Sequence, residues 1–417
     1  MKKIIIEGGY PLTGTIKISG AKNSAVALVP ASLLADDTVT IDNIPDISDI
    51  KALNEILEYL GSQVTRNKEK MEIDPSTVEN KAIPENISKK LRASYYFMGA
   101  LLGKYKKAEM YFPGGCSIGA RPIDLHLKGF EALGATVTAD ENKYTIEADE
   151  LIGTNIYLDI ASVGATINIM LAATKAIGTT IIENAAKEPE IVNVATFLNQ
   201  MGAKITGAGT SEIKIKGVKK LHGCYTEVIP DRIEAGTYIT MGALCGNNLR
   251  IENIIPDHIE SFLSKLEETK ADIKVGSDYV IVSKKETLKQ TNIKTAVYPG
   301  FPTDLQQPFT ILLTQCNGKS KVTETIWENR FMHIPYIVDM GAEIEVKNQT
   351  AFITGPTKLK GKDIKATDLR AGAAMIIAGL IAEGTTTISD IEHVLRGYEN
   401  IIEKLTNVGA HISLIEE

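Results

Sequence analysis

The most chemically distinctive segment of the chain is a loop that carries Cys116. Residues 111–122 include three glycines and two prolines, which exclude regular structure and permit hinge motion. A cysteine in such a loop is unlike the usual buried cysteine, and the nearby Arg121 would favour formation of the thiolate. The residues alone leave two interpretations open, a reactive thiol and an incidental loop thiol.

Basic residues stand at the predicted starts of helices that are apolar nearly all round: Lys22, Arg92 and Arg370. A helix N-terminus presents free N–H groups and the positive end of the helix dipole, so a cation there has no local reason to be present. The three cations therefore indicate a shared anionic ligand. The alternative is that each is a surface cation at a loop end. Further arginines, of the residue type that binds phosphate or carboxylate in a forked geometry, lie in loops: Arg121, Arg330 and Arg396.

An internal repeat must position these residues. A small turn followed by a β-branched strand recurs about every seventy residues. The turn residues are Gly61, Gly134, Gly202, Gly341 and Gly409, with Lys270 replacing the glycine of a sixth copy. Each copy also has a small-residue helix, a strand with Asn or Asp near its end, and a second, amphipathic helix. The pattern predicts six units of the form β-α-β-α-β-β.

Six such units predict an α/β protein of two pseudo-threefold domains, with helices inside and sheets outside. The first helix of each unit should be buried, because it is apolar nearly all round. The first strand, residues 3–7, has no partner before it and is expected to pair with the C-terminal unit. One domain would then combine residues 1–21 with 230–417, and the other would be residues 22–229. The alternative is that the echoes are only common αβ loop chemistry.

Composition narrows the function classes. The chain has 417 residues, of which 44% are hydrophobic and 23% charged, as expected of a soluble globular protein with more than one core. Its net charge of -7 argues against a general nucleic-acid binder. The first residues lack an apolar core long enough for a signal peptide, and the longest apolar stretch, residues 371–382, is too short to span a bilayer, so the cytoplasm is expected. Neither a metal site, a disulfide framework nor a bound cofactor is expected, because the cysteines and histidines lack ligand spacing and no dinucleotide motif is present.

Several segments carry a family resemblance: Gly20-Ala21-Lys22-Asn23, Pro113-Gly114-Gly115-Cys116, Arg121-Pro122-Ile123-Asp124-Leu125-His126, Ser162-Val163-Gly164-Ala165-Thr166, Pro230-Asp231-Arg232-Ile233-Glu234, Phe301-Pro302-Thr303-Asp304, Glu328-Asn329-Arg330-Phe331 and Arg396-Gly397-Tyr398-Glu399. Together they resemble the enolpyruvyl transferases along essentially the whole chain, and specifically the members that act on UDP-N-acetylglucosamine. The resemblance implies two inside-out α/β barrels of three units each. That number agrees with the repeat found above.

The resemblance implies transfer of the enolpyruvyl group of phosphoenolpyruvate to the 3-hydroxyl of UDP-N-acetylglucosamine, with release of phosphate. The family reaction proceeds by addition and elimination and is the first committed step of peptidoglycan synthesis. Asp304 would be the base near the sugar hydroxyl. Cys116 would be the acid and the site of a covalent adduct with phosphoenolpyruvate, since an ordinary thiol stays largely protonated at neutral pH. Fosfomycin is expected to alkylate Cys116.

The resemblance also assigns binding roles. Lys22, Arg121 and Arg396 would hold the phosphate, and Arg330 and Arg370 the carboxylate; Lys22 and Arg396 would thereby share in catalysis. Asn23 would contact both the reacting region and the nucleotide sugar. The remaining nucleotide-sugar contacts would be Arg92, Arg121, Pro122, Ile123, Asp124, Leu125, Ser162, Val163, Gly164 and Ile326. Glu188 and His126 match charged family positions, whereas the lysine that some members carry before the Ser-Val-Gly turn is replaced here by Ile160-Ala161.

Two other functions remain as alternatives. The first is a transferase of the enolpyruvylshikimate-phosphate synthase type, which shares the fold and phosphoenolpyruvate. The run of residues 121–125 discriminates against it, because that run suits a nucleotide. The second is a non-catalytic relative that binds a nucleotide sugar as a sensor. A sensor need not keep both an acid and a base, so the presence of Cys116 and Asp304 speaks against it.

Overall fold

A computed structural model describes residues 2–111, 123–140 and 142–416. The α-helices are α1 (Lys22–Ala31), α2 (Ser48–Tyr59), α3 (Glu85–Ser88), α4 (Tyr96–Tyr105), α5 (Asp124–Ala132), α6 (Val163–Ala173), α7 (Pro189–Gln200), α8 (Arg232–Cys245), α9 (Glu260–Glu268), α10 (Gln306–Leu313), α11 (Ile334–Asp339), α12 (Leu369–Ile381), α13 (Glu392–Leu395) and α14 (Ile401–Asn407). Short 3₁₀ turns lie at Ser32–Leu34, Arg92–Tyr95, Pro256–Ile259 and Thr303–Leu305.

The strands alternate with these helices along the chain. They are β1 (Lys2–Glu7), β2 (Thr15–Lys17), β3 (Val39–Asp42), β4 (Gln63–Asn67), β5 (Lys70–Asp74), β6 (Lys107–Tyr111), β7 (Thr136–Ala139), β8 (Lys143–Glu147), β9 (Asn155–Tyr157), β10 (Thr179–Glu183), β11 (Lys204–Thr206), β12 (Glu212–Lys216), β13 (Tyr225–Glu227), β14 (Leu249–Glu252), β15 (Asp272–Val275), β16 (Tyr279–Ser283), β17 (Leu288–Lys289), β18 (Ile293–Lys294), β19 (Cys316–Thr323), β20 (Glu343–Lys347), β21 (Thr350–Gly355), β22 (Asp363–Lys365), β23 (Thr385–Ser389) and β24 (His411–Glu416).

The described chain divides into two compact units. The central unit contains residues 20–111, 123–140 and 142–229, and the discontinuous unit contains residues 2–19 and 230–416. Each unit has its own hydrophobic core. None of the described helices is both long enough and apolar enough to cross a bilayer.

The core of the central unit is built on α1, α4 and α6, whose residues are almost all buried. Helix α4 packs against both α1 and α6. The unit's sheets have the strand orders β13-β3-β5-β4, β6-β8-β7 and β11-β12-β10-β9. Small side chains such as those of Ala165, Ala172 and Ala173 let the buried helices approach closely while still removing apolar surface from water.

The discontinuous unit repeats this arrangement around α8, α10 and α12, which pack against one another. Its sheets have the orders β15-β16-β14-β2, β17-β19-β21-β20 and β22-β23-β1-β24, and β18 also pairs with β19. Strand β1 lies antiparallel to β23 and β24, with Ile4 opposite Ile388 and Ile6 opposite Ile412. The predicted pairing of the first strand with the C-terminal unit is therefore confirmed.

The repeated turns share one backbone conformation. All five predicted glycines have positive φ, between 95° and 113°, and Lys270 has φ 63°. A left-handed residue ends a helix by turning the chain towards the next strand, and glycine adopts that conformation at least cost. The six-copy register is thus confirmed, including the copy in which lysine replaces glycine.

The Asn and Asp residues after the central strands of the repeats also share a conformation. Asn43, Asn184 and Asn253 have φ of 54–60°, and their side-chain amides donate to the carbonyls of Val228, Leu158 and Ile18, respectively. Each acceptor follows the short parallel strand beside the one that the Asn ends. Asp390 keeps the left-handed conformation at φ 55°, but its carboxylate cannot donate and instead pairs with Lys365.

Some helix starts differ from expectation. Arg92 and Asp304 lie in 3₁₀ turns that lead into α4 and α10, whereas α8 itself begins at Arg232. Tight turns of this kind are common at helix N-termini, and they change the direction in which a side chain leaves the helix. The polar residues that precede the apolar pattern therefore belong to the helix starts themselves.

Candidate functional site

A charged cluster of Asp304, Arg330 and Arg370 lies in the discontinuous unit. Arg330 Nη2 donates to Asp304 Oδ1 over 2.7 Å, and Nε and Nη2 of Arg370 each lie 3.2 Å from Asp304 Oδ2. The arginine side chains are only 2% and 3% exposed, whereas the aspartate side chain is 28% exposed. Within this cluster two buried cations thus share one carboxylate, and a buried cation is stable only when anions or acceptors surround it.

The two arginines retain donors that are not used. Arg330 Nε and Arg370 Nη1 are buried and have no hydrogen-bond partner among the described residues. The Tyr398 ring lies beneath the Arg370 guanidinium, with its centroid 5.3 Å from Cζ. Burial lowers the pKa of Arg370, but the Tyr398 hydroxyl and the Asp304 carboxylate outweigh it, so the pKa lies above its usual range. The cluster is therefore cationic and can accept a further anion.

A buried amide ties the two arginine segments together. Gln307 Nε2, on α10, donates to the carbonyl oxygen of Arg330 over 3.2 Å and to Asp368 Oδ2 over 3.1 Å. The other carboxylate oxygen of Asp368 accepts the N–H groups of Arg370 and Ala371 and so caps α12. Gln307 and Asp368 therefore fix the backbone positions from which both arginine side chains extend.

Glu324 positions the other side of the cluster. Its carboxylate is fully buried: Oε1 accepts the Thr295 hydroxyl over 2.9 Å and the Ile326 N–H over 2.8 Å, and Oε2 accepts the Thr303 hydroxyl over 2.9 Å. Thr303 directly precedes Asp304. The same carboxylate thus fixes the turn of Ile326 and the short segment that carries Asp304.

Sequence reasoning missed Gln307, Asp368 and Glu324 as supports of the site. A signal for Glu324 was available, because it follows β19 at the point where other repeats carry Asn or Asp after the strand. Its longer side chain collects hydrogen bonds from several segments instead of one. Gln307 gave no signal, because a polar residue inside an apolar helix is recognised as functional only when its partners are known.

A neutral cluster of His126, Asn168 and Tyr95 lies in the central unit. Asn168 Oδ1 accepts the N–H of Gly99 over 2.9 Å, and Asn168 Nδ2 donates to the carbonyl of Tyr95 over 3.0 Å. The same nitrogen lies 2.8 Å from Nδ1 of His126. Because a backbone N–H can only donate, the amide orientation is fixed, and Nδ1 of His126 must be the acceptor. The imidazole proton therefore resides on Nε2.

Burial and the charge of Arg92 lower the pKa of His126 to about 3. The imidazole is consequently neutral at physiological pH, and its ring lies edge-on to that of Tyr95 with centroids 4.8 Å apart. The first turn of α6 approaches so closely that a Cβ at Gly164 would lie 2.8 Å from the His126 ring. The structure thus places Arg92, His126 and the start of α6 close to one another.

Lys22, the first residue of α1, has a local partner. Its Nζ lies 2.8 Å from Oδ2 of Asp49 on α2, and the two side chains are 13% and 3% exposed. The expectation that a cation at this helix start has no local reason was therefore wrong, because Asp49 approaches from a helix about thirty residues away in sequence. The ion pair fixes the position of the ammonium group and leaves it partly accessible.

The remaining predicted residues lie as follows: Asn23 half-buried on α1, Ile123 buried before α5, Asp124 exposed at the start of α5, Leu125 and Val163 half-buried against the core, Ser162 accepting the N–H of Ala165 as the cap of α6, Glu188 before α7, and Arg396 half-buried after α13. Cys116, Arg121 and Pro122 lie outside the described residues. Within the described part of the chain, no group of His, Cys, Asp and Glu side chains could hold a metal ion.

The other three cysteines behave as small core residues. Cys224 is half-buried, whereas Cys245 and Cys316 are buried. Burial raises the pKa of Cys224 to about 11 and those of Cys245 and Cys316 to about 12. These thiols stay protonated at neutral pH and are poor nucleophiles.

The family model and the relatives that match this chain are all named as carboxyvinyltransferases. The family model described as EPSP synthase (3-phosphoshikimate 1-carboxyvinyltransferase) matches residues 6–405. Proteins named UDP-N-acetylglucosamine 1-carboxyvinyltransferase 2 are 55% identical over 413 residues in Bacillus cereus (strain ZK / E33L) and 54% identical over 412 residues in Geobacillus kaustophilus. Both alignments cover 99% of this chain and 96% of the relative.

Solved structures show the same fold. The enolpyruvyl transferase NikO from Streptomyces tendae superposes with a TM-score of 0.90 at 26% identity, covering 99% of this chain and 98% of that one. An EPSP synthase from Acinetobacter baumannii superposes with a TM-score of 0.78 at 17% identity over 100% of both chains. At that identity the second likeness concerns the fold alone.

Proposed function

Because the chain belongs to the EPSP synthase family of carboxyvinyltransferases, we propose that it transfers the enolpyruvyl group of phosphoenolpyruvate to the 3-hydroxyl of UDP-N-acetylglucosamine. The acceptor is supported by 55% identity over 413 residues to a protein named for that reaction. The reaction is the first committed step of peptidoglycan synthesis, and the enzyme acts in the cytoplasm.

The observation that carries this proposal is the charged cluster. Phosphoenolpyruvate has a carboxylate and a phosphate attached to one small carbon skeleton, so its site needs two separate groups of cations. Arg330 and Arg370 are buried, cationic and supplied with unused donors, and they bind the carboxylate. Lys22, Arg121 and Arg396 bind the phosphate, where their charge also stabilises the leaving group.

The addition step involves two proton transfers. Asp304 takes the proton of the sugar 3-hydroxyl while the oxygen attacks C2 of phosphoenolpyruvate, and Cys116 gives a proton to the methylene carbon. The product of this addition is a tetrahedral ketal. The Cys116 thiolate then takes a proton from the new methyl group while the bond between C2 and the phosphate oxygen breaks, and the departing phosphate takes the proton that Asp304 holds. These changes restore the double bond, release phosphate and return both residues to their starting states. Removing either the acid or the base should slow turnover by about 10²–10⁴-fold.

The neutral cluster supports the binding of the nucleotide sugar. Arg92 and the free N–H groups at the start of α6, residues 162–164, suit the diphosphate, because a helix N-terminus attracts anions. Neutral His126 adds no charge of its own but orders this helix start through Asn168. The exposed Ile160 offers no cation, so the helix start replaces the lysine of other family members. The other acceptor contacts are Asn23, Arg121, Pro122, Ile123, Asp124, Leu125 and Ile326.

We also propose that each unit is an inside-out barrel of three repeats. The buried triplets α1, α4, α6 and α8, α10, α12 support this arrangement, since each triplet is bordered by three sheets in its own unit. The central unit would comprise residues 22–229, and the discontinuous one would comprise residues 1–21 and 230–417.

The test is release of phosphate from phosphoenolpyruvate in the presence of either UDP-N-acetylglucosamine or 3-phosphoshikimate. We expect release with the nucleotide sugar and none with 3-phosphoshikimate. Release with 3-phosphoshikimate alone would show the other transferase of this family. Binding of the nucleotide sugar with no release from either mixture would show a sensor.

Fosfomycin gives an independent check on Cys116. An electrophilic phosphonate should be drawn to the phosphate-binding cations and alkylate this thiol, while the buried Cys245 and Cys316 stay unmodified. Mass spectrometry of the digested protein should show one adduct, on Cys116. A Cys116→Asp variant should resist fosfomycin and remain active if proton donation is the main role of the residue; an adduct on another cysteine would contradict the assignment.

A further inference from the structure

The side chain of Asp304 is more exposed to solvent than those of its partners Arg330 and Arg370. We infer that Asp304 is an internal stand-in for the substrate carboxylate: in the free protein it occupies Arg330 and Arg370, and phosphoenolpyruvate displaces it and thereby releases it to act as the base. This inference rests on the proposed function and adds a step to it. Substrate binding would itself create the active form of the base.

The geometry of the contact is that of a bound carboxylate. One oxygen of Asp304 accepts from Arg330 Nη2 over 2.7 Å, and the other lies 3.2 Å from both Nε and Nη2 of Arg370, so each oxygen is bound by a guanidinium group. A substrate carboxylate would present the same two oxygens at the same spacing. Asp304 therefore occupies the positions that the proposed ligand needs.

The exposure of the three side chains determines the direction from which a ligand can enter. The side chains of Arg330 and Arg370 are 2% and 3% exposed, and their unused donor atoms, Arg330 Nε and Arg370 Nη1, are buried. Asp304 is 28% exposed and is thus the accessible side of the cluster. A carboxylate arriving from solvent meets the arginines only where Asp304 already binds, so it must displace Asp304 from at least one of them.

Side-chain exposure makes Asp304 the partner that moves, since the backbone of all three residues is supported. Arg330 is held through its carbonyl by Gln307, Arg370 through its N–H by Asp368, and the turn Thr303–Leu305 through the Thr303 hydroxyl by Glu324. The Asp304 side chain is 28% exposed and has room to turn, whereas both arginine side chains are buried. A change of its side-chain rotamer would withdraw the carboxylate and leave the backbone in place.

Charge provides the driving force and the consequence. Nearby Asp231 and Asp368 accept N–H groups at the starts of α8 and α12, so neither carboxylate is available to substitute for Asp304. While Asp304 is paired with two cations, protonating it would break both ion pairs. After exchange it faces a substrate carboxylate and has lost at least one cation, and both changes favour proton uptake.

The test compares reversible phosphoenolpyruvate binding by Asp304→Asn and by the unchanged residue, both in a Cys116→Ser background so that no covalent adduct forms. The chain has one tryptophan, Trp327, close to the cluster in sequence, so fluorescence or calorimetry can follow the titration. Removing the competing carboxylate should tighten binding by about 10-fold or more, even though turnover falls. Unchanged or weaker binding would overturn the inference.

Two controls keep the outcomes separate. Asp339→Asn removes an equal charge from an exposed position of the same unit and should leave the affinity unchanged. Asp304→Ser should tighten binding as Asp304→Asn does, so the test does not depend on one variant folding. If the unmodified chain releases no phosphate, the proposed function fails; if it releases phosphate but both Asp304 variants bind no more tightly, only the exchange fails.

Discussion

The two clusters satisfy buried polar groups in opposite ways. In the neutral cluster of the central unit, one amide, Asn168, matches donors to acceptors around an uncharged His126, and no charge is needed. In the charged cluster of the discontinuous unit, two guanidinium groups surround the single carboxylate of Asp304 and still have unused donors. The first arrangement is complete without a ligand, whereas the second binds a single internal carboxylate that a ligand carboxylate could replace.

The neutral cluster therefore supports the structure, whereas the charged cluster is suited to bind and react with a substrate, although both lie in units built from the same repeat. Both clusters lie beside buried helices: the charged one includes Arg370 in the first turn of α12, and the neutral one is centred on Asn168 in the middle of α6. A fully satisfied neutral network rigidifies such a position at little electrostatic cost. In the charged cluster, two buried guanidinium groups are stable only while a carboxylate pairs with them, and a substrate carboxylate can take the place of Asp304 in that role.

The largest expected effect comes from placing a charge in the neutral cluster. Asn168→Asp would point a carboxylate at the Tyr95 carbonyl and at the acceptor nitrogen of His126, so we expect the free energy of unfolding at pH 7 to fall by about 3 kcal/mol. Urea unfolding followed by circular dichroism measures it. Asn86→Asp, at an exposed position of α3 in the same unit, is the control and should change stability by less than about 0.5 kcal/mol. Equal losses in the two variants would contradict the account.

The next effect concerns acid. The pKa of His126 is about 3 in the folded chain, against about 6.5 when unfolded, so the unfolded chain takes up the proton first and stability falls as pH drops below about 6.5. His126→Gln removes this term and should lose about 2 kcal/mol less than the natural chain between pH 6.5 and pH 5. Urea midpoints at the two pH values measure it. His333, whose pKa is lowered to about 4, contributes a slope of the same sign in both proteins. Identical pH slopes would show that His126 is not held neutral.

The opposite substitution, Asp to Asn in the charged cluster, should lower the free energy of unfolding by less. Asp368→Asn removes a charge beside Arg370, but asparagine still caps α12, so we expect a loss of about 1 kcal/mol. Gln307 would lose a charge-assisted hydrogen bond and with it some control of Arg330, so the KM for phosphoenolpyruvate should rise more than kcat falls. Steady-state kinetics and urea unfolding measure the two effects. A loss of stability as large as that of Asn168→Asp would remove the distinction between the clusters.

The smallest effect tests the repeat that both clusters share. Lys270 is the only non-glycine among the six turn residues and has φ 63°, so Lys270→Gly should raise the free energy of unfolding by about 0.5–1 kcal/mol. Thermal unfolding measures the change. Lys274→Gly, in the neighbouring strand β15, should lower stability instead, since glycine weakens a strand. A loss of stability in Lys270→Gly would contradict the shared turn.

Local patterns allowed much of the fold to be predicted from the sequence. The turn glycines and Lys270 each act within a few residues of their position, so a repeat reveals them. The Asn residues after the strands recur at fixed places in the repeat, although their amides donate to carbonyls on distant segments. The pairing of β1 with β23 and β24 followed because a lone strand needs a partner. Helix boundaries were less accurate, because 3₁₀ turns interrupt the apolar pattern at Arg92 and Asp304.

The supports of the site could not be predicted in the same way. Asp49, Asn168 and Gln307 act through partners that lie far away in sequence, and nothing in their own segments indicates the contact. Asp304, Arg330 and Arg370 were recognised as candidate residues, but their mutual ion pairs were not, since no local rule states which charges meet. Long-range contact is the information that the fold adds.

A crystal structure of the chain with phosphoenolpyruvate bound, in the Cys116→Ser background, tests the exchange at Asp304 most directly. We expect the substrate carboxylate to lie within hydrogen-bond distance of both Arg330 and Arg370, with Asp304 withdrawn from at least one of them. A structure with the substrate carboxylate elsewhere, and with Asp304 still in contact with both arginines, would contradict it.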